Sequence, residues 1–200
     1  MLPIKSKYKI AKRLGAAIFE QTQTQKFSLS EARTKATKKP GRRGGSDYGR
    51  QLLEKQRVRY MYGLAERQLS NYAEKAFGAP DPSLALHRSL ELRADSAVYK
   101  AGLASTRRAA RQAVSHGHIT VNGRRITTPS HALRKGDVIA VREGSRKSPL
   151  FAGLAEQENR RSIPQWITAD FNQLKAEVVG EPTVAESGLD YPTVFEFYSR

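Results

Sequence analysis

The feature that most constrains the fold of this chain is a hairpin signal within residues 93–147. Asn122-Gly123 separates two short runs, 119–121 and 124–126. This spacing is typical of a two-residue β-hairpin, because Asn and Gly tolerate the positive φ angles of a type I′ turn. We therefore expect antiparallel strands here.

Helical patterns precede the hairpin and an apolar strand follows it. One helix is predicted over residues 95–101, and a second begins after Ser105 or Thr106, either of which can cap it. A glycine-containing turn then leads into an apolar strand at residues 138–141. Together these elements predict two helices packed on a small sheet.

The charge of the same stretch narrows the class of partner. Residues 93–147 hold twelve Lys and Arg against three Asp and Glu, a formal net charge of +9. Residues 1–60 hold sixteen basic and four acidic residues, whereas residues 151–200 hold four and eight. The basic parts predict a polyanion as partner, and the acidic end predicts a protein.

The flanking sequence is mainly helical in pattern, with strands near the end. The predicted elements are helices at 46–62, capped by Ser46, at 64–77 and at 83–92, capped by Ser83, a helical stretch at 149–161, paired strands at 166–169 and 174–179, and a terminal strand at 194–198.

Residues 1–45 are expected to form a basic arm with apolar islands. Residues 38–45 repel one another and cannot pack a core, so we expect ordering on RNA, with a solubilising tail as the alternative. Because the segment has no acidic residue before Glu20, an organellar transit peptide is a further alternative.

The sequence lacks the residues that several classes of chemistry require. There is no cysteine, and no apolar run approaches the ~20 residues that span a bilayer, so no membrane partner is expected. His116 and His118 form an H-x-H pair, but the surrounding arginines disfavour a metal ion. Asp95 is better explained as a helix or arginine partner than as a catalytic acid. We predict no cofactor, no metal and no enzymatic activity.

The basic clusters and the residues beside them are the candidate RNA contacts, although charge runs can also be merely solvated. The candidates are Arg42, Arg43, Tyr48, Arg50, Lys55, Arg57, Arg59, Arg107, Arg108, Arg111, His116, His118, Asn122, Arg124, Arg125 and Lys135.

Residues 93–147 resemble the S-four RNA-binding domain. The matching words are Ala104-Ser105-Thr106-Arg107, Ala109-Ala110-Arg111-Gln112, Val114-Ser115-His116-Gly117-His118-Ile119, Val121-Asn122-Gly123 and Gly136-Asp137-Val138-Ile139. This domain is shared by proteins with different roles. Alone, the resemblance implies RNA binding.

The flanking words resemble the helical domain of the bacterial-type small-subunit ribosomal proteins of the same name. They are Ser46-Asp47-Tyr48-Gly49, Leu53-Glu54-Lys55-Gln56-Arg57-Val58-Arg59, Tyr62-Gly63, Glu66-Arg67-Gln68, Pro164-x-Trp166 and Glu196-Phe197-Tyr198-Ser199-Arg200. Two departures are that Arg93-Ala94-Asp95 replaces the usual Arg-Leu-Asp and that the first 37 residues match poorly. The zinc-binding cysteines of some relatives are also missing.

The resemblance implies an α+β protein. Its expected parts are a basic arm at 1–45, a helical domain at 46–92 completed by 148–200 with small C-terminal strands, and an inserted S-four-type domain at 93–147. The implied role is a structural constituent of the small ribosomal subunit that binds rRNA, nucleates assembly and influences accuracy. The alternatives are a pseudouridine-synthase-type enzyme or a stress ribosome-binding protein.

The resemblance also implies partners. These are the 5′ region of small-subunit rRNA, small-subunit ribosomal protein five and messenger RNA at its entry path, on a cytoplasmic ribosome or, alternatively, an organellar one. Candidate contacts with protein five are the acidic residues Glu186, Asp190 and Glu196.

Overall fold

The computed structural model describes residues 4, 6–36, 46–151, 154, 162–184 and 188–199. The chain divides into two compact units, residues 1–79 with 188–200, and residues 80–187. Each unit is described by itself below. The mixture of helices with one antiparallel sheet confirms the predicted α+β class.

The first unit is helical. Its elements are α1 (Lys7–Leu14), 3-10 turns at Ala16–Ile18 and Glu20–Thr22, α2 (Gln25–Ala36), α3 (Asp47–Met61), α4 (Glu66–Phe77) and α9 (Tyr191–Tyr198). The predicted cap of α3 is confirmed, because the Ser46 hydroxyl accepts a hydrogen bond from the Gly49 amide at 3.2 Å.

The expectation that residues 38–45 cannot pack a core concerns a segment outside the described residues. The earlier part of the arm buries apolar side chains. A buried apolar cluster there is formed by Ala11, Leu14, Ile18, Phe19 and Phe27. Each apolar island is short, so its burial depends on contacts that are distant in sequence. The Arg57 guanidinium in α3, for example, donates to the Leu14 carbonyl oxygen at 2.8 Å.

The prediction of a terminal strand at residues 194–198 is wrong, because helix α9 occupies this segment. The alternating apolar residues favour a strand, but Asp190 caps a helix by accepting from the Thr193 amide at 3.2 Å. Pro192 in the first turn is compatible with that start. Packing against α3 and α4 then buries Val194 and Phe195.

The second unit combines helices and a five-stranded antiparallel sheet. Its elements are α5 (Pro82–Glu91), α6 (Ala94–Lys100), α7 (Arg107–Ser115), β1 (Ile119–Val121), β2 (Arg124–Arg125), β3 (Val138–Val141), α8 (Glu143–Arg146), β4 (Ile167–Asp170) and β5 (Lys175–Val178). The sheet order is β2-β1-β3-β5-β4.

The hairpin and its register are confirmed. Val121 pairs with Arg124, and the Ile126 amide donates to the Ile119 carbonyl at 3.1 Å. Asn122 has a φ of 50° and Gly123 a φ of 80°, as the type I′ turn requires. The predicted pairing of the strands near 166–169 and 174–179 is confirmed by β4 and β5.

One core joins the helices to the sheet. Fully buried side chains from α6 and α7 meet those of the central strands, among them Val98, Ala110, Val114, Ile119 and Ile139. The predicted packing of two helices on a small sheet is therefore confirmed.

Helix starts differ in one detail from the prediction. Asp81, and not Ser83, caps α5 by accepting from the Leu84 amide at 3.0 Å. Of the two candidate caps before α7, Thr106 serves, accepting from the Ala109 amide at 3.0 Å. Most of the helix predicted at 149–161 lies outside the described residues.

The compact units group some residues differently from the predicted domains. Strand β5 pairs with β3 through Ile139 and Ala176, so β4 and β5 extend the sheet of the predicted S-four-type domain. Residues 80–92 also belong to this second unit, while α9 belongs to the first. The domain boundaries inferred from the resemblance remain a prediction.

Candidate nucleic-acid interface

The hairpin turn is tied to the turn that precedes β3. The Asn122 side chain donates to Asp137 Oδ1 at 2.9 Å and accepts from the Val138 amide at 2.9 Å. Asp137 in turn accepts from the Arg134 amide at 2.7 Å. The Asn122 amide group, a predicted RNA contact, therefore serves first to hold two turns side by side.

Exposed basic residues lie next to these two turns in the sequence. We call them the hairpin face: Arg124, Arg125, Arg134 and Lys135, all exposed. Residues 116–137 contain these four basic residues and a single acidic one, Asp137. Arg134 was not among the predicted contacts, although its place next to Lys135 in the turn could have identified it.

Gly117 gives Arg125 a defined position beside the end of α7. The Arg125 Nη2 atom donates to the His116 carbonyl oxygen at 3.2 Å. Gly117 has a φ of 71°, and a Cβ atom added there would overlap the Arg125 guanidinium. The glycine thus both ends the helix and leaves room for the arginine.

The three arginines of α7 do not share one environment. Arg108 is exposed. Arg107 Nη2 lies 3.3 Å from Glu91 Oε1, and Arg111 Nε lies 3.8 Å from Asp95 Oδ2. The sequence predicted phosphate contacts for all three, whereas the structure directs two of them toward carboxylates of the protein.

Asp95 forms a buried, bidentate ion pair with Arg93. Arg93 Nε and Nη2 donate to its two oxygens at 2.9 and 2.7 Å, and the Arg93 side chain is only 1% exposed. The expectation that Asp95 is an arginine partner in a first helical turn is confirmed. Such pairing is what makes a buried charge tolerable.

Three of the four basic residues of α3 are also engaged within the protein. Lys55 is buried and lies 2.7 Å from Glu66, and its Nζ atom is 4.2 Å from the centre of the Phe197 ring. Arg57 pairs with Glu54 at 2.8 Å. Arg59 lies 3.6 Å from Glu66. Their charge is therefore partly compensated before any RNA approaches.

The surroundings of Glu66 set its protonation. Burial raises its pKa, but the hydrogen bond and charge of Lys55, with contributions from Tyr198 and Arg59, lower the pKa below its ordinary value overall. Burial, together with the nearby Glu66 carboxylate, raises the pKa of Tyr198 above its ordinary range. Tyr198 therefore remains a hydrogen-bond donor to Glu66, at 3.0 Å.

Two other predicted contacts lie at the surface of the first unit. Tyr48 is 49% exposed, with its ring centre 5.8 Å from that of Phe197, and Arg50 is exposed. A half-exposed aromatic ring can stack on an unpaired base, and an exposed arginine can contact a phosphate.

The two histidines predicted to contact RNA differ in their exposure. His116 is exposed, whereas His118 is half-buried with Nδ1 2.9 Å from the Ser145 hydroxyl. Within the described ranges, no group of three or more His, Asp or Glu side chains could hold a metal ion. No helix in that part of the chain is long and apolar enough to cross a membrane.

The remaining predicted residues lie outside the described residues or make internal contacts. Arg42, Arg43 and Glu186 lie outside the described residues. Asp190 caps α9, and Glu196 accepts from the Gln51 amide at 3.0 Å.

The described residues thus offer two kinds of basic side chain. Those of the hairpin face are exposed and can contact phosphate groups. The others contact carboxylate or carbonyl groups of neighbouring elements, and they are Lys55, Arg57, Arg59, Arg107 and Arg111. This difference makes the hairpin face the strongest candidate for a nucleic-acid interface among the described residues.

Two protein-family models match the chain. The chain matches the ribosomal protein S4/S9 N-terminal domain over residues 4–92 and the S4 domain over residues 92–139. The first match begins at residue 4. It therefore includes most of the first 37 residues, which were expected to match the family poorly.

Individual relatives cover almost the whole chain. It is 42% identical over 197 residues to small ribosomal subunit protein uS4 of Roseiflexus sp. strain RS-1, covering 96% of each chain. It is 38% identical over 201 residues to the uS4 protein of Sulfurihydrogenibium sp. strain YO3AOP1, covering 96% of this chain and 95% of the relative. At this identity and coverage, the chain belongs to the uS4 family of small ribosomal subunit proteins.

Proposed function

We propose that the chain is a structural constituent of the small ribosomal subunit that binds rRNA. The observation that carries the proposal is the hairpin face, four exposed basic residues within the part of the chain that matches the S4 domain. The names of the relatives place each of them in the small subunit.

The hairpin face suits a phosphate backbone. Each basic side chain that neutralises a phosphate releases condensed counterions, which favours binding and makes it salt-dependent. The sheet holds Arg124 and Arg125 in strand β2, and the Asn122–Asp137 hydrogen bond holds the neighbouring turn. Because the backbone that carries these side chains is folded before binding, little backbone ordering opposes the association.

In this proposal the chain binds rRNA and catalyses no reaction. Nothing in the matched families or relatives favours an RNA-modifying enzyme or a stress ribosome-binding protein. The finer parts of the proposal are binding to the 5′ region of small-subunit rRNA, a role in early assembly and in accuracy, and location on a cytoplasmic ribosome.

Contacts with other ribosomal components complete the proposal. Small-subunit ribosomal protein five and messenger RNA near its entry path are the proposed neighbours. Asp190 and Glu196 are exposed, so their unused oxygen lone pairs can face a basic protein while they hold α9 and Gln51. Arg42, Arg43 and Glu186 remain proposed contacts from the sequence.

The proposal is tested by competition between transcribed pieces of small-subunit rRNA. The purified full chain is bound to the 5′ region in the presence of excess 3′ region, at rising salt. We expect the 5′ complex to persist at salt concentrations that abolish 3′ binding, because only specific contacts survive screening. Equal loss of both complexes would overturn the proposal.

A further inference from the structure

The two turns beside the hairpin face are joined by side chains as well as by backbone. The ladder of β1 and β3 is followed by a further backbone bond, in which the Asn122 amide donates to the Val138 carbonyl oxygen at 2.9 Å. The Asn122 side chain continues the link, donating to Asp137 Oδ1 and accepting from the Val138 amide, each at 2.9 Å. We call Asn122 and Asp137 the turn clamp.

The turn at residues 134–137 is also fixed to β5 in the centre of the sheet. The Gly136 amide donates to the Val178 carbonyl oxygen at 2.7 Å, and the Val178 amide donates to the Asp137 carbonyl oxygen at 3.0 Å. Asp137 Oδ2 accepts from the Arg134 amide at 2.7 Å. Asp137 therefore connects β5 to the hairpin, and its side chain closes the turn that carries two basic residues of the hairpin face.

The hairpin itself is short. Strand β2 is at the edge of the sheet and consists of Arg124 and Arg125, which pair with two residues of β1. Two strands of this length are marginally stable by themselves. The direction of the hairpin tip therefore depends on the bonds at its turn, and the Asn122 side chain supplies two of them.

We propose that the turn clamp positions the hairpin face for rRNA binding. The clamp sets the direction of the two basic residues of β2 relative to the two of the turn at 134–137, so that both pairs meet one stretch of phosphate backbone. This inference rests on the proposed rRNA binding. The nitrogen and the oxygen of the Asn122 side-chain amide both bind the protein, so this predicted RNA contact is a positioning residue. Asp137 is the second positioning residue, although its charge opposes phosphate binding.

The charge of Asp137 gives the test a direction. Asp137→Asn removes a negative charge next to the hairpin face, so electrostatics alone predicts tighter RNA binding. The two amides that Asp137 accepts from lie on different carboxylate oxygens, and an asparagine replaces one of these oxygens with an NH2 group. The clamp therefore loses a bond, and our inference predicts weaker binding by a more basic protein.

Exchanging the two side chains restores the clamp without changing the net charge. In N122D/D137N, the new amide at position 137 donates to the new carboxylate at position 122, which still accepts from the Val138 amide. The amide oxygen at position 137 accepts from the Arg134 amide. Position 122 has a φ of 50°, which Asp tolerates as Asn does.

The experiment binds full-length variants to the 5′ rRNA piece over a range of salt, at a temperature where circular dichroism shows them folded. The variants are N122D, D137N and N122D/D137N. D170N is the charge control, because it removes one negative charge from a turn at the opposite end of the sheet. One Asp170 oxygen accepts from the Asn172 and Gln173 amides, and an asparagine keeps that oxygen.

The expected results differ between the single and double variants. D137N should bind more weakly than the parent chain and flatten the slope of log K against log salt by about 0.7 to 1.8, the loss of one or two phosphate contacts. N122D should also bind more weakly, because it sets two carboxylates against each other. N122D/D137N should regain the affinity and slope of the parent chain, and decides the matter even if a single variant does not fold. D170N should bind at least as tightly as the parent chain.

Four outcomes would overturn the inference. D137N binding as tightly as the parent chain, or more tightly, would show that charge outweighs the clamp. Weak binding by N122D/D137N alongside normal binding by D137N would show that Asn122 contacts RNA directly. A double variant as weak as D137N, or a D170N variant as weak as D137N, would separate the loss from the clamp. Failure of the proposed function is distinct, because the parent chain would then bind the 5′ and 3′ rRNA pieces equally.

Discussion

Helix α3 and the hairpin face are both rich in basic residues, yet they use the charge differently. In α3, Lys55 is buried against Glu66 and Arg57 bridges Glu54 and the Leu14 carbonyl. At the hairpin face, Arg124 and Lys135 are exposed. The comparison shows that a run of positive charge in the sequence does not by itself measure the positive charge that a partner meets.

The difference follows from which partners the fold supplies. The carboxylate that meets Lys55 is eleven residues away, and the carbonyl that meets Arg57 is 43 residues away. Residues 116–137 contain one carboxylate, and this Asp137 side chain accepts from the Asn122 side-chain amide and the Arg134 backbone amide. Internal compensation therefore uses much of the charge of α3, whereas the basic residues of the hairpin face are exposed.

The largest expected effect is on the buried pair of the second unit. Asp95→Ala leaves the Arg93 guanidinium, 1% exposed, without its bidentate partner. We expect a loss of about 3 to 5 kcal/mol in the free energy of unfolding, measured by denaturant titration followed by Trp166 fluorescence. Asp170→Ala, at an exposed turn of the same unit, is the control and should cost about 1 kcal/mol or less. Similar losses for both variants would contradict the assignment.

A smaller effect tests how the hairpin face is held. Gly117→Ala should lose about 1 to 2 kcal/mol because of its positive φ, and the added Cβ should also displace Arg125. Gly123→Ala is a matched control, since its φ is 80° but a Cβ there meets no atom within 4 Å. We expect rRNA affinity to fall further in G117A than in G123A. Equal affinity in the two variants would show that the Arg125 position does not matter.

A further test concerns the pair in the first unit. The Glu66 pKa is lowered in the folded chain, so its contribution to stability is present above its ordinary pKa of 4.5 and is lost as pH falls through the folded value. Lys55→Met should weaken this acid dependence and cost about 1 kcal/mol, because Glu66 is 44% exposed.

Amide exchange in α4 and α9, measured from pH 6 to pH 3, checks this prediction. Protection of the parent chain should fall with pH more steeply than protection of K55M. Parallel curves would contradict the role of the pair. Lys75→Met, which removes an exposed lysine of the same helical unit, is the control and should follow the parent curve.

Much of the second unit could be predicted because its signals are local. Asn122-Gly123 fixes the hairpin, Thr106 fixes the start of α7, and the apolar pattern fixes β3. The ion pairs of Arg107 with Glu91 and of Arg111 with Asp95 could not be predicted, because the two carboxylates reach these arginines through the packing of α5, α6 and α7.

The first unit was harder to predict for the same physical reason. Residues 194–198 have a strand-like alternation, and only the Asp190 cap and packing on α3 make them a helix. The islands around Ile18 and Phe27 look isolated in the sequence but share one buried cluster. Where structure depends on distant contacts, local pattern and composition do not decide it.

The most direct test of the central claim compares the salt dependence of rRNA binding in two paired variants. R124Q/R134Q removes two charges from the hairpin face, and R57Q/R59Q removes two from α3. With circular dichroism showing both variants folded, we predict that R124Q/R134Q flattens the slope of log K against log salt by about 1.4 to 1.8, while R57Q/R59Q changes it little. A flattened slope in R57Q/R59Q, with an unchanged slope in R124Q/R134Q, would contradict the account.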